Sequence, residues 1–136
     1  MVLEAVKVTL DPTPAQGKLL LSHAGAARFA YNAGLAHVKA ALDAGEKPEW
    51  TCYSLLRWWN ANKDILAVGE GGGPWWKKNS KESYARALDS LAKALSNWSK
   101  GKRGVRKGRR VGFPKFKAKD RVTSQVCMCD REFWSY

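Results

Sequence analysis

The sequence predicts a mainly helical α+β fold, with about three helices, an N-terminal β-strand and an extended basic segment that contains GFPKFK. Three stretches carry apolar residues at the three- and four-residue spacing of an amphipathic helix, and each follows a residue suited to capping it. The first ten residues alternate instead, as a half-buried strand does. A chain of 136 residues forms one domain or part of one.

The predicted strand is clearest between Val6 and Leu10, where every second residue is aliphatic. Pro12 ends it, because proline offers no N–H to a ladder. The strand is expected to be extended alongside the later segment from Val111 to Phe116, with which it could pair.

The first predicted helix has a complete start signal. Thr13 suits the N-cap, Pro14 suits the first helical position, and Gln16 stands where a capping box needs it. Gly25 interrupts the apolar stripe that follows and predicts either a bend or a division into two helices. The helix is expected to end near Gly45.

Two further helices follow. The second is predicted over about Thr51–Asn62, where Trp58 and Trp59 are interpreted as core residues rather than a base-stacking platform. The third begins with Asn79 and Glu82 at the spacing of a capping box. Its apolar residues make one seam, formed by Tyr84, Leu88, Leu91, Leu95 and Trp98.

The stretch from Lys100 to Arg121 holds eleven of the chain's 24 Lys+Arg residues and a single acid, Asp120. Four glycines within it exclude a continuous amphipathic helix. Cations interleaved with flat aromatic rings suit a polyanion whose bases can stack, namely nucleic acid. The alternative is a solvated basic linker. The two phenylalanines held by a proline in GFPKFK favour binding, because a linker has little use for them.

The net charge and the cysteine content limit which classes of partner and cofactor the sequence predicts. The formal net charge of +12 points to phosphates or an anionic membrane surface. No apolar run approaches the roughly 20 residues of a spanning helix and no secretion signal leads the chain, so we expect a cytoplasmic protein with no membrane partner. Cys52, Cys127 and Cys129 are interpreted as free thiols. Half of a zinc site at the last two is the alternative, but a second ligand pair is missing, so no cofactor is expected.

Catalysis is not predicted. The twelve carboxylates are scattered, and no cluster among them could hold the metal pair of a nuclease. His23 and His37 lie fourteen residues apart without a Ser or Cys at motif spacing. We therefore predict a non-enzyme.

Polar residues on two helices have two interpretations each. Arg28 and Asn32 lie one turn apart beside the apolar stripe of the first helix, and either hold a neighbouring backbone, which their chemistry favours, or contact nucleic acid. Arg86, Lys93 and Lys100 repeat every seven residues, so they share a face of the third helix. That face is either solvated or lies along a phosphate backbone.

Several motifs, taken in order, resemble a known family. They are GAARFAYNAGL (residues 25–35), SYARALDSLAKALSNW (83–98), the basic run, and GFPKFK (112–117). Together they resemble the N-terminal region of the OrfB/TnpB-type insertion-sequence transposases and RNA-guided DNA endonucleases, over about residues 7–123. After Thr123 the chain leaves the family pattern.

The resemblance implies a helix-turn-helix or recognition-wedge region over residues 1–123, followed by a divergent tail over 124–136. In this family that region grips guide-type RNA or DNA, and a later domain with three metal-binding acids and a zinc ribbon cuts. The chain has neither, so it resembles a truncated member, whose partner could be a separately encoded nuclease portion.

Two function classes remain: a nucleic-acid-binding protein that contacts the RNA or DNA backbone without cleaving it, or a helical protein-interaction module with an incidental basic tail. For the first class, the predicted nucleic-acid-binding residues are Arg28, Asn32, Arg86, Lys93, Lys100, Lys102, Arg103, Arg106, Lys107, Arg109, Arg110, Phe113, Lys115, Phe116 and Lys117.

Overall fold

The computed structural model describes residues 3–118, which form three α-helices and one short 3-10 helix. The α-helices are α1 (Pro14–Asp43), α2 (Cys52–Leu66) and α3 (Lys81–Lys102), and the 3-10 helix is Trp75–Lys78. The prediction of a mainly helical fold with three helices is confirmed. The predictions for Cys127, Cys129 and the tail over 124–136 lie outside the described residues.

Helix α1 begins at the predicted capping box. The Thr13 hydroxyl accepts a hydrogen bond from the Gln16 N–H at 3.3 Å, and the Gln16 side chain accepts one from the Thr13 N–H at 3.0 Å. The helix then runs for 30 residues without a break at Gly25, so the predicted division into two helices does not occur. Gly45, just after its end, has a φ of 78°, a left-handed conformation that glycine adopts readily.

The other two helices differ from the predicted bounds in small ways. Thr51 caps α2 as predicted, and the helix continues to Leu66, one turn beyond the predicted end. The N-cap of α3 is Ser80 rather than Asn79, because the Ser80 hydroxyl accepts a hydrogen bond from the Glu82 N–H at 3.3 Å. The Asn79 side chain instead accepts a hydrogen bond from the Ser22 hydroxyl of α1 at 2.8 Å.

Helices α1 and α3 run side by side in the same direction. His23 accepts a hydrogen bond from the Ser80 N–H at 3.3 Å near one end, and Gly34 faces the middle of α3. A Cβ atom at Gly34 would stand 2.9 Å from Leu91 Cδ2 and 3.0 Å from Leu88 Cδ2. A side chain at position 34 would force these leucine methyl groups to shift, so Gly34 permits the close approach of the two helices.

Helix α2 runs in the opposite direction and completes the core. The Trp50 ring before it lies 6.2 Å from the Trp98 ring near the end of α3. Trp59 is 2% exposed at the centre of the core, whereas Trp58 is half-buried and stacks on His37 with 4.5 Å between ring centroids. The prediction that this tryptophan pair belongs to the core is therefore confirmed for Trp59, which is fully buried, whereas Trp58 is only partly buried against the core. The largest fully buried side chains are Trp59, Leu35, Leu55, Leu88, Leu91, Leu95 and Val38.

The predicted N-terminal strand is wrong. Residues 3–13, which we call the leading segment, belong to no helix or strand, and Val6, Val8 and Leu10 are 81%, 72% and 64% exposed. An alternating pattern produces a strand only where a partner strand supplies hydrogen bonds and a surface to cover. Within residues 3–118 the structure has an isolated bridge, Val68–Pro74, and no strand. No helix in the described part of the chain is long and apolar enough to cross a membrane.

Candidate nucleic-acid interface

The segment that contains GFPKFK returns from the end of α3 and lies on α1. We call residues 111–118 the strap. The Asn32 side-chain amide of α1 donates a hydrogen bond to the Lys117 carbonyl at 3.0 Å, and its oxygen accepts one from the Lys117 N–H at 2.8 Å. One amide thus binds both backbone groups of a residue, as a neighbouring strand would. Of the two interpretations of Asn32, the structure shows the one in which it holds a neighbouring backbone.

Phe113 anchors the other end of the strap to α3. Its ring meets the Trp98 ring edge to face, with centroids 4.9 Å apart, and it is half-buried against the core. Trp50 packs on the same tryptophan. Phe113 therefore packs within the fold, and a contact between its ring and a base stays a prediction.

Phe116 points away from the core. It is 49% exposed, and the Lys39 Nζ of α1 lies 5.8 Å from its ring centroid. Lys39 is not among the residues predicted to bind nucleic acid. The signal was its position seven residues after Asn32, two turns along the same helix face. Lys115, also exposed, flanks Phe116 within the strap.

Lys117 directs its charge inward. Its Nζ lies 4.5 Å from the centroid of Tyr31, a ring that is 6% exposed, and the residue is half-buried. A cation held on an aromatic face in this way contributes to anchoring the strap. Lys117 therefore has less freedom to reach a phosphate than the fully exposed cations around it.

Between α3 and the strap lies a loop, residues 103–110, which we call the basic loop. It contains five cations and no acid. Gly104 and Gly108 have φ values of 71° and 102°, conformations that glycine adopts without steric cost. Arg106 stabilises the loop from within, because its Nη1 donates a hydrogen bond to the Arg109 carbonyl at 2.7 Å.

The remaining cations of the basic loop are exposed to solvent. They are Arg103, Lys107, Arg109 and Arg110. Two more cations precede them on the last turn of α3: Lys100, which is exposed, and Lys102, whose Nζ lies 5.4 Å from the Trp98 ring centroid. The structure therefore brings these cations together at one end of the helical core.

The face shared by Arg86, Lys93 and Lys100 carries mixed charge. The Lys93 Nζ lies 3.0 Å from the Asp89 carboxylate, an exposed pair of the kind that contributes about 0–1 kcal/mol. Burial raises the pKa of the nearby Cys52 thiol, and the Asp89 carboxylate raises it further. Because this carboxylate stands in the middle of the face, the face is less suited to a phosphate backbone than the basic loop is.

Arg28 lies one turn before Asn32 on α1 and is half-buried. It is on the same side of the helix as Asn32 and Lys39, the residues that meet the strap. A contact between Arg28 and nucleic acid stays a prediction.

A second aromatic and basic region lies at the opposite end of the core. Trp75 packs edge to face on Phe29 with centroids 5.0 Å apart. Trp76 donates a hydrogen bond from Nε1 to the Asp64 carboxylate at 3.0 Å, and the Lys63 Nζ covers its ring at 4.0 Å. Both rings are therefore engaged within the fold. Across residues 3–118, no three His, Cys, Asp or Glu side chains are grouped so as to hold a metal ion.

The family model that matches this chain describes a helix-turn-helix domain of IS605-type OrfB proteins and covers residues 1–47. The described part of that range holds a single helix, α1, preceded by the leading segment. The two-helix geometry that places a recognition helix in a DNA groove is thus not contained in residues 3–47.

Two curated relatives come from Mycobacterium tuberculosis, strains CDC 1551 / Oshkosh and ATCC 25618 / H37Rv, and each is named "Putative RNA-guided DNA endonuclease". Each is 35% identical to this chain over 131 residues, which cover 92% of this chain. The chain spans 28% of the length of these relatives. No solved structure matches the chain significantly.

Proposed function

We propose that this chain, which carries the N-terminal helix-turn-helix region of the OrfB/TnpB-type insertion-sequence family, binds the backbone of RNA or DNA through its basic loop and strap. The observation that carries the proposal is the charge of residues 100–118, which include nine cations and no acid. Asn32 and Phe113 hold this segment against α1 and α3.

Each phosphate that a cation neutralises releases condensed counterions, and this release drives binding at low salt. A segment anchored at both ends loses less conformational entropy on binding than a free tail of the same composition. Because backbone contacts carry no sequence information, we expect little sequence preference.

We also propose that binding occurs without cleavage by the residues of this chain. Its carboxylates are few and scattered. The cutting activity in the name of the two relatives belongs to proteins of which this chain spans 28%. The partners we propose are a guide-type RNA or a DNA strand and, if cutting occurs, a separately encoded nuclease portion.

The test is a salt titration of binding to a labelled RNA or DNA. If about six phosphates are neutralised, the affinity should fall roughly a thousandfold between about 50 and 200 mM salt. Replacing the four exposed loop cations (Arg103, Lys107, Arg109 and Arg110) with Gln should reduce the slope of log K against log salt by about 3–4.

A matched control removes the same charge elsewhere. Four exposed lysines lie on the leading segment or near the starts of α1 and α3, away from the basic loop: Lys7, Lys18, Lys78 and Lys81. Replacing them with Gln lowers the net charge equally and should leave the slope within about one unit. An equal decrease of the salt slope in both variants would show that net charge alone drives binding, and the basic loop would not be the site.

A second candidate function, a helical protein-interaction module, is favoured by one observation. The leading segment exposes Leu3, Val6, Val8 and Leu10, all more than 60% accessible, and exposed apolar residues in one stretch are typical of an interaction surface. Salt-insensitive binding, or no binding below about 100 μM at about 50 mM salt, would contradict the proposed function because charge-driven binding depends on salt. Either result would favour this candidate.

A further inference from the structure

We propose that Phe116 is a stacking platform for one unpaired base, presented by the Asn32 anchor and flanked by Lys39 and Lys115. This inference rests on the proposed function and deepens it. It assigns to the interface a preference for single-stranded over duplex nucleic acid and traces that preference to one side chain.

The large side chains of the strap differ in whether they contact the helices. Two of its side chains are committed to the fold: Phe113 on Trp98, and Lys117 on Tyr31. Phe116, between them, is 49% exposed although it is a large apolar ring. An exposed ring next to two anchored neighbours costs solvation free energy without contributing to the core, so its position suits contact with a ligand.

The strap backbone is restricted on both sides of Phe116. Both backbone groups of Lys117 are hydrogen-bonded to Asn32, so the residue that follows Phe116 is fixed on α1. Pro114 restricts the strap before Phe116. Because the backbone on both sides of Phe116 is restricted, stacking on its ring costs less conformational entropy than stacking on a ring in a free tail.

The cations around Phe116 indicate the class of ligand that it would bind. Lys39 lies 5.8 Å from the Phe116 ring centroid, and Lys115 is exposed beside it, so anionic groups next to a flat ring are favoured. Single-stranded nucleic acid offers that combination, with a base for the ring and phosphates for the cations. In a duplex each base already stacks on its neighbours, and its faces are not accessible. The nearest acid along α1 is Asp43, one turn beyond Lys39.

The experiment separates stacking from charge. Two labelled strands with the same number of phosphates, a 12-nucleotide thymidine strand and a 12-nucleotide abasic strand, are titrated with the full chain by fluorescence anisotropy at a fixed salt concentration of about 100 mM. One stacked base contributes enough free energy to favour the thymidine strand about tenfold. Phe116→Ala should abolish that preference while leaving both the affinity for the abasic strand and its salt slope unchanged.

Two more variants define the roles. Phe116→Leu keeps apolar bulk but has no flat face, and should lose most of the preference. Asn32→Ala should lower the preference without removing it, because the ring is still present but no longer fixed. Asn32 is thus a positioning residue. Loss of a merely structural residue would weaken the binding of both strands equally and leave the ratio of the two affinities unchanged, whereas loss of a positioning residue lowers that ratio.

The outcomes can be told apart. Binding of both strands with equal affinity by the unmodified chain would overturn this inference and leave the proposed function intact. A Phe116→Ala variant that keeps the preference would overturn it as well. No binding to either strand would overturn both. A thermal melt of Phe116→Ala should match that of the unmodified chain, because the ring lies largely outside the core.

Discussion

The leading segment and the strap both lie outside the helices and belong to no strand, yet their side chains are placed differently. The strap has the Asn32 amide on its backbone and the Trp98 ring against Phe113. The leading segment has aliphatic residues at every second position and leaves them exposed. The comparison teaches that alternation alone does not fix an extended segment. Specific polar or aromatic anchors on a neighbouring helix can do so without a strand partner.

The largest expected effect comes from moving the two helices to which the strap is attached. Gly34→Val would place a branched side chain where a Cβ already meets Leu91 Cδ2 at 2.9 Å. We expect the free energy of unfolding to fall by about 3 kcal/mol, the upper part of the range for overpacked cores. Urea unfolding followed by tryptophan fluorescence measures it.

Gly17→Val is the matched control for that change. Gly17 lies in the same helix with nothing within 4 Å of its would-be Cβ, so the free energy of unfolding should change by less than about 0.5 kcal/mol. Equal losses in the two variants would mean that some effect of valine in α1 other than the contact between α1 and α3 explains the Gly34 result, because helix propensity alone favours valine over glycine.

The next effect tests the aromatic anchor. Phe113→Ala removes the ring that packs on Trp98, and should reduce the free energy of unfolding by about 2 kcal/mol. The value lies below the roughly 3–5 kcal/mol of a fully buried phenylalanine because Phe113 is only half-buried. Phe116→Ala serves as the control in the same unfolding experiment, and a loss as large as that of Phe113→Ala would contradict the outward position of Phe116.

A somewhat smaller effect is expected at the polar anchor. Asn32→Ala removes both hydrogen bonds to Lys117 and leaves two backbone groups to find water, which should cost about 1–2 kcal/mol. Asn60→Ala on the exposed side of α2 is the control, with an expected cost below about 0.5 kcal/mol. Hydrogen exchange at the Lys117 amide gives a local measurement, and unchanged protection in the Asn32 variant would refute the anchor.

The smallest effect is expected in the leading segment. Val6→Ser and Val8→Ser together should change the melting temperature by no more than a degree or two, because surface substitutions away from contacts stay within about 0.5 kcal/mol. A large fall would show that this segment packs against the helices. The contrast with the strap would then disappear.

Local signals in the sequence predicted local structure well. The capping residues Thr13 and Thr51 were identified correctly because a cap satisfies N–H groups two or three residues away. Adjacent candidates remain ambiguous by one position, as with Asn79 and Ser80, since either side chain can reach the same N–H groups. The similarity of residues 1–47 to the helix-turn-helix family model was likewise predictable, because GAARFAYNAGL (25–35) lies within that range.

Contacts between distant residues could not be predicted in the same way. The chemistry of Asn32 suggested that it holds a backbone, but its partner is 85 residues away and nothing local identifies it. Phe113 and Phe116 occupy one hexapeptide, and which of them faces inward depends on where Trp98 lies. The prediction of an N-terminal strand was wrong for the same reason, because a strand needs a partner strand and the described residues do not contain one.

The separation of 85 residues between Asn32 and Lys117 also has a consequence for synthesis. At about 5–20 residues per second, a ribosome adds Lys117 roughly 4–17 seconds after Asn32. Helix α1 has ample time to form in that interval, with the Asn32 amide bound only to water. The strap is therefore the last of these elements to be synthesised and can dock only onto helices made before it. Until it docks, the most basic part of the chain emerges beside the ribosome's own RNA without the contacts that later hold it.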